Sequence, residues 1–466
     1  MLKKVLIANR GEIACRVQRT CKRLGVATVA VYSDADERAP HVAAADEAVR
    51  IGPPPVKDSY LDIEAVLGAA RQTGADSVHP GYGLLSEKEA FAEAVAAAGL
   101  TFIGPPPSVL AAFGDKIRAR AVARAAGVSP PPGSDGPIDA DDAPAVAAEA
   151  ERIGYPLLVK AAGGGGGIGM QVVESPDKLA RAVTSCSDRG RSAFGDARVY
   201  LERYVRSPRH IEVQVLCDTH GGGVALGERE CSMQRRHQKI IEESPSPASF
   251  FAGAEGAARR ASLLADALRI VQSVGYVGAG TVEFVASPEG QLFFLEVNAR
   301  LQVEHCVTEQ VTGLDLVEQQ LRVASGEKLA AAVLHNTRNG HSIEARVYAE
   351  NPAKSFAPQP GKLVRLVWPA ETADLRVETG VTEGLDVTPY YDPMLAKLVA
   401  YGPTRGAAIE RLDRALAETT LELVGPAGPA ATNIEFLREL LAAPEFVEGA
   451  YDTGLAERLA KAKAKA

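Results

Sequence analysis

The chain has 466 residues, enough for roughly three domains at about 150 residues each, and 46% hydrophobic against 24% charged residues excludes wholesale disorder. With 51 Lys and Arg against 59 Asp and Glu, the formal net charge is -8, which fits neither nucleic acid nor an anionic membrane, since both reward basic surfaces. The six cysteines are scattered without a CxxC pair, no run reaches the roughly 18 apolar residues of a membrane span, and the N-terminus lacks a signal-peptide core; a cytoplasmic protein with reduced thiols is expected.

In chain order, a short apolar strand is expected at 5–8, a helix at 12–24, a second strand at 27–32, a helix at 63–73, and a strand at 76–79 running into the turn Pro80-Gly81-Tyr82-Gly83. This alternation predicts a parallel, doubly wound, Rossmann-like α/β sheet. Its first turn, Asn9-Arg10-Gly11-Glu12, is not a GxGxxG fingerprint, so the fold gives no reason to expect a dinucleotide. Proline runs at 105–107 and 130–132 mark boundaries. Between about 133 and 204 lies a small unit: helix 140–153, strand 157–160, a glycine run, strand 171–173, helix 176–186 and strand 198–201. From 205 strands dominate, including 211–216, 280–285 and 292–296; a β-rich stretch follows at 341–402, then a helix at 405–418 and an Ala-Lys tail that reads as frayed helix.

Three motifs carry chemistry. The five glycines at 163–167, followed by Ile168-Gly169, lie between two apolar strands, where a flexible linker fits badly. Glycines there bring bare N–H groups up to an anion, and Lys160 just before them adds a charge suited to phosphate, although the spacing is not that of a P-loop. Next, Glu283 and Glu296 flank a turn at 287–290 (SPEG), so a hairpin places them opposite or one diagonal step apart. Their flanks are apolar, and a shared Mg²⁺ would relieve the repulsion, with Asn298 on the same face as a further oxygen donor. Finally Arg300, Gln302 and Glu304 alternate along one face, a set that makes sense around a small planar anion, with Arg300 binding it and Glu304 acting as base. The donor-rich stretch 234–239 (QRRHQK) reads equally well as a solvated loop.

These motifs resemble biotin carboxylase, the ATP-grasp component of biotin-dependent carboxylases. GERECSMQRRHQKIIEE (227–243), the glycine run, EVNARLQVEH (296–305), HPGYG (79–83) and YYDPMLAKL (390–398) carry the resemblance, which runs from residue 1 to about 450. It implies an N-terminal domain at 1–114, an ATP-grasp domain at 115–335 with a mobile lid at about 133–204, a β-rich C-terminal domain at 336–450, and a tail at 451–466. The implied reaction is phosphorylation of bicarbonate by ATP to carboxyphosphate, followed by carboxylation of biotin on a carrier domain. Lys116, Lys160, Gly165 and Gly166 match phosphate-binding positions, and Glu202, Val205, His210, Gln234 and His237 match adenosine-contacting ones. Glu283, Glu296 and Asn298 match ligands for Mg²⁺ or Mn²⁺. Lys239, Arg300, Gln302, Val303 and Glu304 match the bicarbonate site, with Glu304 as base; Arg346 matches the arginine that stabilises the biotin enolate, and Tyr82 lies where biotin docks. Cys231 reads as packing.

A carrier protein, a carboxyltransferase subunit and a homodimer are the implied partners. No AMKM-like biotin-attachment sequence is present. Departures from the family pattern are Ile168 for a lid arginine, Ala299 for threonine, Cys306 for proline, Lys88 for asparagine, and the expanded 425–433 segment (GPAGPAATN). The Ile168 loop resembles that of urea-carboxylase-type members. Competing readings are another ATP-grasp ligase acting on a different carboxylate, and a nucleotide-binding carboxylase subunit without turnover.

Overall fold

Strands β1 (Lys4–Ile7), β2 (Ala27–Ser33), β3 (Glu47–Gly52), β4 (Ser77–His79) and β5 (Thr101–Phe102) form a parallel sheet in the order 3-2-1-4-5. The computed structural model describes residues 2–162 and 169–463. Val5, Leu6 and Ile7 are wholly buried, as a central parallel strand covered on both faces requires. Helix α1 (Gly11–Arg23) buries Ile13, Ala14, Val17 and Cys21 at helical spacing, and its Glu12 at the start and Lys22 and Arg23 at the end suit the helix dipole. A helix at Ile63–Thr73 ends on Gly74 in the left-handed region. Strand β3 escaped the sequence reading because only Ile51 and Gly52 of its six residues are buried.

The small unit contains α2 (Ala143–Ile153), β6 (Leu157–Ala161), β7 (Met170–Val173), α3 (Leu179–Phe194) and β8 (Val199–Arg203), its sheet antiparallel in the order 7-6-8. It has its own core, including Val146, Ile153, Leu157, Val159, Val183 and Leu201. The helix expected at 176–186 opens as a tight turn at Pro176–Lys178 and continues to Phe194. Gly165, Gly166 and Ile168 lie outside the described residues.

The largest element is one antiparallel sheet of eight strands: β9 (Arg209–Cys217), β10 (Gly223–Arg235), β11 (Gln238–Ser244), β12 (Gly278–Ala286), β13 (Leu292–Asn298), β14 (His341–Tyr348), β15 (Leu375–Thr379) and β16 (Met394–Gly402). Their spatial order is 13-12-9-10-11-14-16-15. The β11–β14 pairing, with Ile241 opposite Ala345, carries this sheet across the expected 335/336 boundary.

Strands dominate after 205 as expected, joined by α4 (Gly253–Gln272), a twenty-residue helix burying Leu263, Ala267, Ile270 and Val271 against the sheet. One expectation is corrected here: residues 300–304 do not continue as an alternating strand. β13 ends at Asn298, and the Ala299 N–H donates to Glu87 Oε1 at 3.0 Å instead of to a neighbouring strand. The chain then turns into α5 (His305–Thr312). Among the described residues, no helix is long and apolar enough to cross a membrane.

Candidate active site

A cavity of about 790 Å³ opens where the parallel sheet, the small unit and the eight-stranded sheet meet. Its wall includes Tyr82, Lys116, Lys160, Glu202, Val205, His210, Gln234, His237, Lys239, Glu283, Glu296, Asn298, Arg300, Gln302, Val303 and Arg346. The sequence reading thus brought together residues from positions 82 to 346. Glu304 is different: it is fully buried and does not line the cavity, lying behind Lys239 and Arg346.

The floor is a row of charges across four adjacent strands. Glu296 on β13 faces Glu283 on β12, which faces Glu212 on β9, which faces Arg229 on β10. A bulge between Glu283 and Phe284 makes Leu295 the extra residue and leaves the two outer glutamates directly opposite. The sequence reading left their repulsion to a metal ion. The structure adds cations: Lys116 lies 3.2 Å from Glu296, His210 Nε2 lies 3.1 Å from Glu283, and Arg229 Nε donates to Glu212 at 2.5 Å.

Lys239 Nζ is the hub, donating to Glu212 Oε2 at 2.6 Å, Glu283 Oε1 at 2.9 Å and Glu304 Oε1 at 2.7 Å. Burial disfavours its charge, but the three glutamates more than offset that and hold its pKa well above the ordinary value. Burial would likewise raise Glu283, yet Lys239 and His210 hold it well below the carboxylate range. Glu304 is held down in the same way, against burial, by Lys239, Arg346 and Arg229. His210 is raised, Glu283 outweighing its burial. Its Nδ1 lies 3.0 Å from Gln234 Nε2, so this side chain, expected among the adenosine contacts, also touches the carboxylate row.

At the near end, Lys160 pairs with Glu202, which also accepts from Arg120 at 2.8 Å. At the far end, Arg300 donates to Glu87 at 2.9 Å, Asn298 Oδ1 at 3.0 Å and Gln302 Oε1 at 3.1 Å. Gln302 in turn donates to Glu283 at 3.1 Å. Arg346 pairs with Glu242 and donates to Glu304 at 2.9 Å. Glu242 is pushed up to about 7 by burial, against the pull of Arg346.

Stretch 234–239 splits: Arg236 and His237 form an exposed hairpin tip with positive φ, while Lys239 turns inward. Cys231 is wholly buried, 4.0 Å from Glu304 Oε1, and burial keeps its thiol protonated.

The sequence reading missed Glu212, Arg229, Glu87 and Glu242. For Glu212 a signal existed, since His210, Glu212 and Gln214 alternate with the buried Ile211, Val213 and Val215. Glu87 comes from a distant loop, and no local pattern points to Arg300.

Glu283, Glu296 and Asn298 offer hard oxygen donors on two paired strands, a set that suits Mg²⁺ or Mn²⁺. The row of glutamates gives that cation a reason to bind.

Comparison with known proteins gives the family of the chain. Residues 1–110 match the family model of the biotin carboxylase N-terminal domain, 115–332 that of the carbamoyl-phosphate synthase L chain ATP binding domain, and 344–458 that of the biotin carboxylase C-terminal domain. The chain is 47% identical over 463 residues to a biotin carboxylase from Halalkalibacterium halodurans, covering 99% of each. It is 47% identical over 469 residues to the propionyl-CoA carboxylase alpha chain of Ruegeria pomeroyi, covering 96% of this chain and 67% of that one. A biotin carboxylase domain dimer of the 2-oxoglutarate carboxylase from Hydrogenobacter thermophilus, solved with MgADP, ADP and bicarbonate, superposes with a TM-score of 0.91 at 41% identity, covering 98% of both chains. The chain belongs to the biotin carboxylase family.

Proposed function

We propose that this chain activates bicarbonate with ATP and passes the carboxyl group to biotin, the first half-reaction of a biotin-dependent carboxylase. The observation that carries the reading is Lys239, whose ammonium touches Glu283 of the metal pair at 2.9 Å and Glu304 at 2.7 Å. One cation therefore joins the phosphate end of the cavity to its anion end.

In this scheme Lys116 and Lys160, with Gly165 and Gly166, bind the phosphates, and Glu202, Val205, His210, Gln234 and His237 face the adenosine. Glu283, Glu296 and Asn298 would hold Mg²⁺ or Mn²⁺, which when bound neutralises phosphate charge. Arg300, Gln302 and Val303 hold bicarbonate, one oxygen of which attacks the terminal phosphorus as the bond to ADP breaks. Glu304, held ionised by Lys239 and Arg346, is the base that takes the hydroxyl proton. The bond between the carboxyl carbon and the phosphate oxygen then breaks as that carbon bonds to the ureido nitrogen, and the released phosphate carries away the nitrogen's proton. Tyr82 receives the biotin ring, and Arg346, anchored by Glu242 and Glu304, stabilises the enolate oxygen.

The biotin would arrive on a separate carrier domain or chain, with a carboxyltransferase completing the cycle, and the enzyme would act in the cytoplasm as a homodimer. The test is ADP release with ATP, Mg²⁺, bicarbonate and free biotin. Release that depends on bicarbonate and rises with biotin is expected, and release indifferent to both overturns the reading.

A further inference from the structure

Lys397, on β16, is fully buried, yet the scheme above gives it no part. Its Nζ donates to the Val303 carbonyl at 2.6 Å, lies 3.3 Å from Glu12 Oε1 and lies 3.6 Å from Cys306 Sγ. The same Glu12 oxygen accepts from the Tyr82 hydroxyl. A buried ammonium is costly unless its three donors are met, and here each contact lies on a different segment. Two of these segments bear on the proposed site: Val303 sits between Gln302 and Glu304, and Glu12 holds Tyr82. Burial opposes the charge of Lys397, yet its surroundings hold its pKa above the ordinary value, so it remains an ammonium.

We infer that Lys397 is a positioning residue for the bicarbonate loop, orienting the 303–304 peptide through the Val303 carbonyl and anchored to the N-terminal unit by Glu12. This rests on reading residues 300–304 as the bicarbonate site. No strand ladder holds that segment, because it leaves β13 at Asn298. Its carbonyl at Val303 is instead pinned by a charged donor, the strongest class of hydrogen bond available to it. Cys306, which stands where the family pattern has proline, adds a contact to Lys397 that a proline side chain has no sulfur to make.

The experiment measures ADP release by the full chain against bicarbonate, ATP and free biotin for wild type, Lys397→Met, Lys397→Arg and Glu304→Gln. Lys397→Met is expected to raise the KM for bicarbonate about tenfold or more, as loss of a charged hydrogen bond to the loop implies. The KM for ATP should stay within about twofold, and Lys397→Arg should recover part of the loss. A folded Lys397→Met with an unchanged KM for bicarbonate overturns the inference. Should Lys397→Met not fold, the double variant Glu12→Gln/Lys397→Met, which removes both buried charges, is judged by the same criterion. Should that also not fold, Glu12→Gln alone decides: an unchanged KM for bicarbonate overturns the inference, and a raised one supports it. Wild-type ADP release without bicarbonate dependence would sink the site reading itself. Normal wild-type behaviour, a damaged Glu304→Gln and an unaffected Lys397→Met would sink the positioning role alone.

Discussion

Glu304 has both carboxylate oxygens committed, one to Lys239 at 2.7 Å and one to Arg346 at 2.9 Å. Its ionised state is therefore set by neighbours from β11 and β14 rather than by its own segment. Glu304→Gln keeps the shape and removes the basic oxygen pair, so bicarbonate-dependent ATP cleavage should fall roughly 10²–10⁴-fold. Steady-state kinetics beside calorimetric ATP binding check this, and the binding should be nearly unchanged. At this scale the sequence was informative wherever residue type alone limits chemistry. Glu283, Glu296 and Asn298 could be picked out from their spacing about a turn. For Glu212 alternation gave its face but not its partner, and Glu242 gave neither, because a glutamate in a strand declares its partner only once the strand order is known.

At the scale of elements, the hairpin was legible to within one diagonal step, since a four-residue turn leaves few choices; the bulge at Leu295 decides for the directly opposed pair Glu283 and Glu296. The alternation at 300–304 misled, because period-two patterning does not report where a strand stops. The turn carrying Tyr82 depends on one neutral imidazole. His79 Nδ1 accepts from the Gly81 N–H at 3.0 Å, and Nε2 faces Gln320 Oε1 at 3.2 Å. Burial lowers the pKa of His79 to about 4, against the hydrogen bond to Gln320. A folded pKa below the unfolded value of about 6.5 means that the unfolded chain binds the proton first as pH falls. The stability this histidine contributes is therefore complete above about pH 6.5 and is lost progressively between about 6.5 and 4. Melting curves at pH 7 and pH 5 should show a smaller drop for His79→Asn than for wild type. An equal drop in both would show that His79 carries none of it.

For the whole molecule, segment classes were readable but their assembly was not. Three of the five strands of the first parallel sheet, and the small unit, followed from alternation and punctuation, whereas the continuous eight-stranded sheet joins strands more than a hundred residues apart. No local pattern encodes that β11 pairs with β14. One expected outcome follows for dissection of the chain. Residues 1–335 expressed alone would expose the edge of β11 and lose Arg346, so they should aggregate. Size-exclusion chromatography checks this, and a stable monomer that binds ATP would contradict it.

The hub at Lys239 also bears on how this pocket can evolve. Three carboxylates lean on one ammonium, so replacing any one of them changes the balance felt by the other two. Substitutions at Glu212, Glu283 and Glu304 are therefore epistatic, their combined cost departing from the sum of the single costs. A drifting sequence can rarely cross such ground one residue at a time, and innovation in this enzyme is freer at the rim, where side chains have fewer creditors.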